Sequence, residues 1–297
     1  MVATVNNGGG FYRRELYLHE ARMHGASIEA PCINTSYNGC HIHGKTIHLG
    51  FGMIKELEDN VVTHILSERE TNGVFFTLEN FINRVIISLE QLVLLIRIGA
   101  FRSTGKPKKS LLWQAYLLLG RNKKTVTTKK LFEAPAKSYR LPALYEAEFE
   151  ENFEEIELLG FPLDSPFTLL KEPISSNVLV RDFPSLLGKE VIIFGYLITI
   201  KNTSTTSGSR MHFGTFLDVQ GAFIDTVHFP PVAARYPFRG KGIYKITGLV
   251  VEEFDFYSLE VTAMERQDYI DDPRYFDGAG RTMDSKRNAK RAEVIVG

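Results

Sequence analysis

The residues best suited to chemistry form a basic, hydroxyl-rich turn between residues 97 and 109. Its cations, hydroxyls and glycines are Gly99, Arg102, Ser103, Thr104, Gly105, Lys106, Lys108 and Lys109. Glycine adopts backbone angles that other residues avoid, so turns at Gly99 and Gly105 would expose backbone N–H groups. A helix starting near Pro107 would add free N–H groups and a positive dipole end. The run predicts binding to phosphate groups, and its alternative is a helix stop followed by a solvated basic loop.

A second group of reactive side chains lies at Cys32, Cys40, His41 and His43. It contains no CxxC pair, and on a strand His41 and His43 would share one face while Cys40 lies on the other. The sequence also has no phosphate loop, nucleophile elbow or metalloprotease helix. We therefore expect neither a metal nor a cofactor in this chain.

Composition limits the classes of protein that the chain can belong to. It has 297 residues, of which 44% are hydrophobic, and its 35 Lys and Arg residues balance 35 Asp and Glu residues. It can therefore fold, as one large domain or as two or three small ones, and nucleic-acid binding would depend on local clusters of cations. Two cysteines and short apolar runs favour a cytoplasmic protein without a membrane span.

The elements that would position the basic turn are short helices. Apolar spacing predicts a helix over 11–24, a short strand pair within 42–49, and helices between 50 and 119 that are joined by tight turns. Thr77 and Ser88 are predicted caps of two of these helices. The basic turn would then connect two helices, as in a hairpin.

The second half of the sequence changes from helical to strand-like periodicity. A polar, basic linker over 121–144 precedes an acidic helix over 144–159, whose glutamates we expect to form a solvated face. Five β-rich runs follow, which suits a small closed barrel of the oligonucleotide/oligosaccharide-binding (OB) type; they cover 191–200, 211–218, 222–229, 243–251 and 257–265. Glu253 and Asp255 are expected in a solvent-facing turn, and residues 268–297 are expected to form a mobile tail.

Five stretches of the sequence together resemble the C-terminal part of the bacterial DNA polymerase III alpha subunit, a C-family replicative polymerase. They are FYRRELYLHEARMHG at 11–25, PCIN at 31–34, LGFGMIK at 49–55, IRIGAF at 96–101 and ELLGFPL at 157–163. The resemblance covers about residues 2–265. In this family the region follows the fingers and contains tandem helix-hairpin-helix motifs, a sliding-clamp-binding peptide and an OB-fold domain.

The resemblance implies a multidomain α+β fold, with a small helical tandem helix-hairpin-helix domain followed by a five-stranded OB-fold β-barrel. It divides the chain into the end of the fingers and connecting strands (1–48), the helix-hairpin-helix domain (49–120), a linker (121–173), the OB-fold domain (174–267) and a polar tail (268–297). Residues 98–106 would be the second hairpin, which holds duplex DNA through its backbone. The first hairpin carries Glu56, Glu58 and Asp59 where glycine is usual, so we expect it to be structural.

Two further sites follow from the same resemblance. The clamp-binding peptide would be Thr128, Lys129, Lys130, Leu131 and Phe132, with Thr128 in place of the usual glutamine; alternatively, Leu131 and Phe132 dock on their own domain. In the barrel, Phe213 would stack on a base while Lys201 and Arg210 meet phosphates. Phe213 could equally belong to the barrel core.

The implied function is the DNA-binding and clamp-binding portion of a replicative DNA-directed DNA polymerase. Its expected partners are duplex and single-stranded DNA, the sliding clamp and other replicase subunits, with no membrane. The catalytic carboxylates and their divalent magnesium belong to a palm domain that has no counterpart here, so we expect the chain, a fragment or a truncated product, to be inactive alone. The alternative function is that of a non-catalytic OB-fold adaptor that binds proteins.

Overall fold

The computed structural model describes residues 1–10, 12–120, 146–204 and 208–275. The chain forms two compact units, and neither is continuous in sequence. The first unit comprises residues 1–8 and 24–163, and the second comprises residues 9–23 and 164–297. This division differs from the five predicted segments, because residues 9–23 group with the barrel and residues up to 163 group with the helices.

The helices and strands are numbered in chain order. The α-helices are α1 (Val2–Asn6), α2 (Arg14–Met23), α3 (Asp59–Asn72), α4 (Leu78–Arg84), α5 (Leu89–Arg97), α6 (Lys108–Leu119), α7 (Glu150–Leu158) and α8 (Pro230–Arg235). The strands are β1 (Ser27–Glu29), β2 (His41–His43), β3 (Thr46–His48), β4 (Glu190–Ser204), β5 (Arg210–Leu217), β6 (Phe223–His228), β7 (Ile243–Glu253) and β8 (Phe256–Arg266).

Short helices and tight turns build the first unit, as the sequence predicted. Thr77 caps α4 by accepting a hydrogen bond from the Asn80 amide at 3.1 Å, and Ser88 caps α5 by accepting one from the Gln91 amide at 3.3 Å. Both predicted caps are confirmed. Edge-to-face contacts join the buried rings of Phe75, Phe81 and Phe101 at centroid distances of 4.9 Å. The small sheet has the order β1-β3-β2.

The acidic helix α7 is not a solvated face, and that expectation is wrong. Glu154 is only 4% exposed, and Asn152 and Glu155 are also buried. The helix packs against α5 within the first unit. Its carboxylates face cations of the neighbouring helices, which is how charged side chains can be buried.

The second unit contains a closed barrel with the strand order β4-β5-β6-β8-β7. Counted within the barrel this order is 1-2-3-5-4, with the fourth strand also pairing with the first, which is the arrangement of an OB-fold. The predicted fold class, helical hairpins followed by a five-stranded barrel, is confirmed. Inward-facing apolar side chains fill the barrel, among them Ile193, Phe216, Ile224, Ile246 and Leu259.

Helix α2 covers part of the outer surface of β4. Leu16 packs in one apolar cluster with Phe194 and Tyr196. The hydroxyl of Tyr196 donates a hydrogen bond to the Glu15 carboxylate at 2.9 Å, and Lys241 pairs with the same carboxylate. Burial, and then the charge of Glu15, raises the pKa of Tyr196. A helix from the first twenty-five residues of the chain therefore covers part of the barrel of the second unit.

The first part of the predicted tail is ordered against the barrel unit. Tyr269 forms a β-bridge with Leu170, and the Lys171 amide donates a hydrogen bond to the Asp268 carbonyl at 3.0 Å. The expectation of a mobile segment is therefore wrong for residues 268–275, whose backbone pairs with a segment about 100 positions earlier. In the part of the chain that is described, no helix is both long and apolar enough to cross a bilayer.

Candidate nucleic-acid interface

The hairpin between α5 and α6 is shaped by two glycines. Gly99 has a φ of +74° and Gly105 a φ of +67°, and both values lie in the left-handed region that favours glycine. A short 3-10 helix, Arg102–Thr104, lies between them. The hairpin that the sequence predicted over 98–106 is therefore present, with α6 beginning directly after it.

Several amides of this hairpin bond within the chain. The Gly99 amide donates to the Ile96 carbonyl at 3.0 Å, the Ala100 amide to the Leu95 carbonyl at 2.9 Å, and the Gly105 amide to the Arg102 carbonyl at 3.1 Å. The expectation that the glycine turns expose their amides is wrong for these positions. Tight turns reuse their own N–H groups, so the side chains must supply more of any contact with a phosphate.

Arg102 and the two hydroxyls of the hairpin also have partners in the first unit. Arg102 donates to the Pro31 carbonyl at 2.9 Å and forms an ion pair with Glu29 at 3.2 Å. Ser103 accepts a hydrogen bond from the Asn34 side chain at 3.1 Å, and the Thr104 hydroxyl donates to the Phe101 carbonyl at 2.8 Å. These side chains hold the hairpin on its own unit, a role that their spacing in sequence does not reveal.

The two lysines at the start of α6 are neutralised by α7. Lys108 lies 3.0 Å from the Glu154 carboxylate and 3.4 Å from that of Glu151, and Lys109 lies 3.0 Å from that of Glu150. Burial lowers the pKa of Lys108, but the carboxylates of Glu154 and Glu151 outweigh that effect and the pKa is raised. Lys106 is exposed and forms no ion pair with any described residue. It is the hairpin cation most available to a phosphate.

The backbone of the first hairpin, which precedes α3, forms hydrogen bonds within its own unit. Glu56 has a φ of +63°, an angle that favours glycine. Buried Gln91 clamps this turn, because its side chain donates to the Glu56 carbonyl at 2.9 Å and accepts from the Glu58 amide at 2.8 Å. The Lys55 amide donates to the Leu158 carbonyl at 2.8 Å. These contacts agree with a structural role for the first hairpin, in which Asp59 begins α3.

The proposed base-stacking residue of the barrel lies on its surface. Phe213 on β5 is 40% exposed and is not part of the barrel core. Lys201 on β4 is its direct partner in the antiparallel register, so the two side chains share one face, whereas Arg210, three residues earlier on β5 and paired with Ser204, lies on the other face. Of the two interpretations of Phe213, the surface position is the one observed. The three predicted barrel residues thus lie on the paired strands β4 and β5.

The predicted clamp-binding peptide lies outside the described residues. Thr128, Lys129, Lys130, Leu131 and Phe132 all fall between residues 121 and 145. The clamp-binding prediction therefore stays a prediction.

The cysteine and histidine group does not form a metal cluster. Cys32 and Cys40 are buried and not joined in a disulfide, the Cys40 sulfur accepts a hydrogen bond from the Gly50 amide at 3.4 Å, and His41 stacks on His48 at a centroid distance of 4.9 Å. Within the described ranges, no three His, Cys, Asp or Glu side chains converge as metal ligands would. Glu253 and Asp255 are exposed at the turn between β7 and β8.

Two site-building residues were missed by the sequence analysis. Gln91 clamps the first hairpin, and Glu154 binds both Arg97 and Lys108 beside the second. The only sequence signal for Gln91 was its polar character within an otherwise apolar helix. For Glu154 the signal was the complementary charge of the segment 97–109, which is about 50 positions away.

Comparison with known proteins identifies relatives for most of the chain. The family model described as "Helix-hairpin-helix motif" matches residues 25–111. The "DNA polymerase III subunit alpha" of Borreliella burgdorferi is 30% identical over 258 residues, which is 80% of this chain and 22% of that protein. The "Error-prone DNA polymerase" of Mycobacterium bovis is 32% identical over 108 residues, or 36% of this chain and 10% of that protein. These matches confirm the resemblance indicated by the sequence motifs, and the chain spans less than a quarter of either relative.

Among solved structures, the second OB-fold domain of replication protein A from Methanococcus maripaludis covers 27% of this chain and 85% of its own, with 14% identity and a TM-score of 0.21. The OB-fold assignment rests on the strand order of the barrel itself.

Proposed function

We propose that this chain, a relative of DNA polymerase III alpha subunits and error-prone DNA polymerases, is the DNA-engaging C-terminal portion of such a polymerase. The helical unit holds duplex DNA through the hairpin at residues 98–106. The barrel binds single-stranded DNA on the surface that carries Phe213. Such contacts hold the protein on DNA without reading its sequence.

The observation that supports this proposal best is the hairpin between α5 and α6. It lies within the matched helix-hairpin-helix segment, and its glycines at positions 99 and 105 both adopt left-handed angles. Its exposed cation, Lys106, stands immediately after Gly105 and before the first turn of α6. A phosphate at this point would meet a full positive charge and the positive end of a helix dipole.

The barrel residues support the single-strand part of the proposal. An exposed aromatic ring beside cations is how proteins bind single strands without sequence preference. Phe213 supplies the ring and Lys201, its cross-strand partner on the same face, supplies the adjacent charge; Arg210, at the start of β5, would meet a phosphate beyond that face. The stacking contact is sequence-tolerant, because every base offers a flat face.

The remaining roles are carried over from the relatives as part of the same proposal. Residues 128–132 bind the sliding clamp, and other replicase subunits complete the assembly in the cytoplasm. Catalysis, with its divalent magnesium, belongs to another part of the polymerase, so this chain alone does not extend a primer. This chain itself holds no cofactor in the proposal.

The duplex contact can be tested by reversing one charge. We expect Lys106→Glu to weaken binding to duplex DNA about tenfold at moderate salt, and equally for unrelated sequences. The slope of log affinity against log salt should fall by about 1, because roughly one phosphate contact is lost. Fluorescence anisotropy of labelled duplexes over a salt series measures both quantities.

Lys45→Glu is the matched control, because Lys45 is an exposed lysine of the same unit in the turn between β2 and β3. If Lys106→Glu and Lys45→Glu weaken binding to the same extent, the charge acts through the overall field and the hairpin does not grip DNA. Absence of duplex binding by the unmodified chain would refute the proposal as a whole.

One observation favours the alternative function, a protein-binding adaptor. Phe254, at the tip of the β7–β8 hairpin, is fully exposed at 101% and has a φ of +55°, which is rare for a bulky residue. Phe256 beside it is exposed too, and Glu253 and Asp255 flank them. Carboxylates repel phosphates, so this tip suits a protein partner better than DNA. The adaptor function gains support if the chain fails to bind duplex DNA.

A further inference from the structure

A cleft on the second unit gathers cations that the proposed function does not use. It has a volume of about 710 Å³ and lies along the outer surface of β7 and β8, beside the connection between α8 and β7. Four basic side chains line it, and they are Arg235, Arg239, Lys245 and Arg266. Strands β7 and β8 are not the strands that flank Phe213, whose neighbours on either side are Lys201 of β4 and Val227 of β6.

Like Lys106 of the hairpin, and unlike Arg102, Lys108 and Lys109, these four cations have no ion-pair partner among the described residues. Among the residues that the structure describes, none of the four approaches a carboxylate within 4.0 Å. Arg102, Lys108 and Lys109 of the first unit are all paired. Like charges that converge repel one another, and an anion bound between them would relieve this repulsion.

The loop that presents Arg239 is held rigidly. The Tyr244 hydroxyl accepts a hydrogen bond from the Arg239 amide at 2.9 Å and donates one to the Gly240 carbonyl at 2.6 Å. On the other side of the loop, the Phe238 ring packs against Phe216 and His228. The guanidinium therefore projects from a fixed backbone, which reduces the entropy lost when a ligand binds.

The lining of the cleft indicates the class of anion. Two carboxylates, Glu265 and Asp268, line the cleft together with the four cations. The cleft therefore carries more positive than negative side chains, and the positive charge is not continuous. The Tyr236 ring also lines the cleft, with the Arg235 guanidinium 5.4 Å from its centroid. Spaced cations beside an aromatic ring match the alternating phosphates and bases of a single strand.

We propose that this cleft binds a stretch of single-stranded nucleic acid through its phosphates, as a second subsite of the barrel. The inference rests on the proposed function, because it assumes that the barrel binds single strands at Phe213. A strand that occupies both surfaces has a longer footprint than Phe213 alone provides. Arg239 and Lys245 contact phosphates, and Tyr236 meets a base.

The test compares two double variants of the full chain on oligothymidylates. Arg239→Ala with Lys245→Ala removes two cleft charges, and neither side chain has a hydrogen bond in the described part of the chain. Arg181→Ala with Lys189→Ala is the matched control, which removes two exposed charges elsewhere on the same unit. Phe213→Ala reports on the other surface. Anisotropy is read over a salt series, and inorganic tripolyphosphate serves as a competitor.

We expect the cleft variant to bind a long oligothymidylate about tenfold more weakly than the unmodified chain, while the control changes little. The salt slope should fall by about 1.4, since single strands lose roughly 0.7 for each phosphate contact. A cleft variant that matches the control, while Phe213→Ala weakens binding, would overturn the second subsite and leave the proposed function intact. Failure of the unmodified chain to bind single strands would overturn both.

The source of the phosphate is tested by the competitor. Tripolyphosphate that binds the unmodified chain as tightly as the oligonucleotide, and loses this affinity in the cleft variant, would overturn the strand assignment in favour of a small-anion site. Weak competition from tripolyphosphate supports the assignment, because a strand makes additional contacts outside the cleft.

Discussion

At the scale of single residues, His228 makes the stability of the barrel depend on pH. The Thr226 hydroxyl donates to the Gly214 carbonyl at 2.8 Å, so it accepts from Nε2 of His228 at 2.9 Å, and this places the ring proton on Nε2. Nδ1 is buried without a hydrogen-bond partner among the described residues. Burial, and then the nearby His212, lowers the pKa of His228 to about 4.

This lowered pKa makes the barrel sensitive to acid. In the unfolded chain the pKa of His228 is about 6.5, and in the folded chain it is about 4. The stability that the neutral ring contributes is therefore fully present above pH 6.5 and is lost as the pH falls through 4. We expect a loss of up to about 3 kcal/mol across this range, and a flatter pH dependence in His228→Gln. Hydrogen exchange of the β5 and β6 amides as a function of pH measures this loss of stability. The exposed His64→Gln should follow the unmodified chain, and an unchanged slope in His228→Gln would contradict the assignment.

Glu56 occupies a backbone position suited to glycine. Its φ of +63° costs a residue with a side chain roughly 1–2 kcal/mol, part of which glycine returns through its larger unfolded-state entropy. We expect Glu56→Gly to stabilise the first unit by about 0.5–1 kcal/mol. Chemical denaturation followed by the fluorescence of Trp113, the only tryptophan, reports on this unit.

Glu56→Ala separates charge from backbone strain, because it removes the carboxylate and keeps the Cβ atom. An equal gain in Glu56→Ala and Glu56→Gly would show that repulsion among Glu56, Glu58 and Asp59 was the cause. In that case the left-handed angle contributes little to stability.

The backbone conformation of the hairpin could be predicted from its residue types, but its side-chain contacts could not. Gly99 and Gly105 indicated left-handed turns, and both adopt them. Arg102 looked like a phosphate ligand, whereas its guanidinium binds Glu29 and the Pro31 carbonyl, which are about 70 positions earlier. Local spacing reports backbone conformation, and it carries no information about which distant carboxylate completes an ion pair.

At the scale of elements, helix α7 is the acidic partner of α5 and α6. Arg97 binds Glu157 through two hydrogen bonds at 3.2 Å and 2.7 Å and approaches Glu154 at 3.3 Å. Burial raises the pKa of Glu154, and Lys108 and Arg97 oppose this shift. A buried carboxylate between two cations is favourable only while all three remain.

We therefore expect Glu154→Gln to destabilise the first unit by about 3 kcal/mol, because it leaves Arg97 and Lys108 with less compensation in a buried place. Trp113 on α6 reports the transition in urea. Glu148→Gln is the matched control, since Glu148 is exposed just before α7, and it should change stability by less than about 0.5 kcal/mol. Equal effects of the two substitutions would show that α7 is solvated after all.

Strands were easier to predict than the burial of α7. Alternating side chains placed the fourth barrel strand at 243–251, and the structure has it at Ile243–Glu253. The period-two pattern reports the face that points inward, so it identifies a strand directly. The glutamates of α7 follow no such rule, because their burial depends on cations in another segment.

At the scale of the whole molecule, the sequence indicated both architectures but not how the chain is divided between them. The change from helical to strand periodicity near residue 174 predicted a helical part and a barrel. It did not predict that α2 belongs with the barrel, since Leu16 meets Phe194 and Tyr196 across about 180 positions. Apolar spacing identifies a helix that needs a partner, and it does not identify the partner.

The discontinuous second unit has a consequence for synthesis. Helix α2 leaves the ribosome before residues 24–163 of the first unit, whereas β4, which packs against Leu16, is made about 175 residues later. At about 5–20 residues per second, α2 waits roughly 9 to 35 seconds for its partner. The helical unit can fold in that interval, while the apolar side of α2 remains available to chaperones until the barrel closes over it.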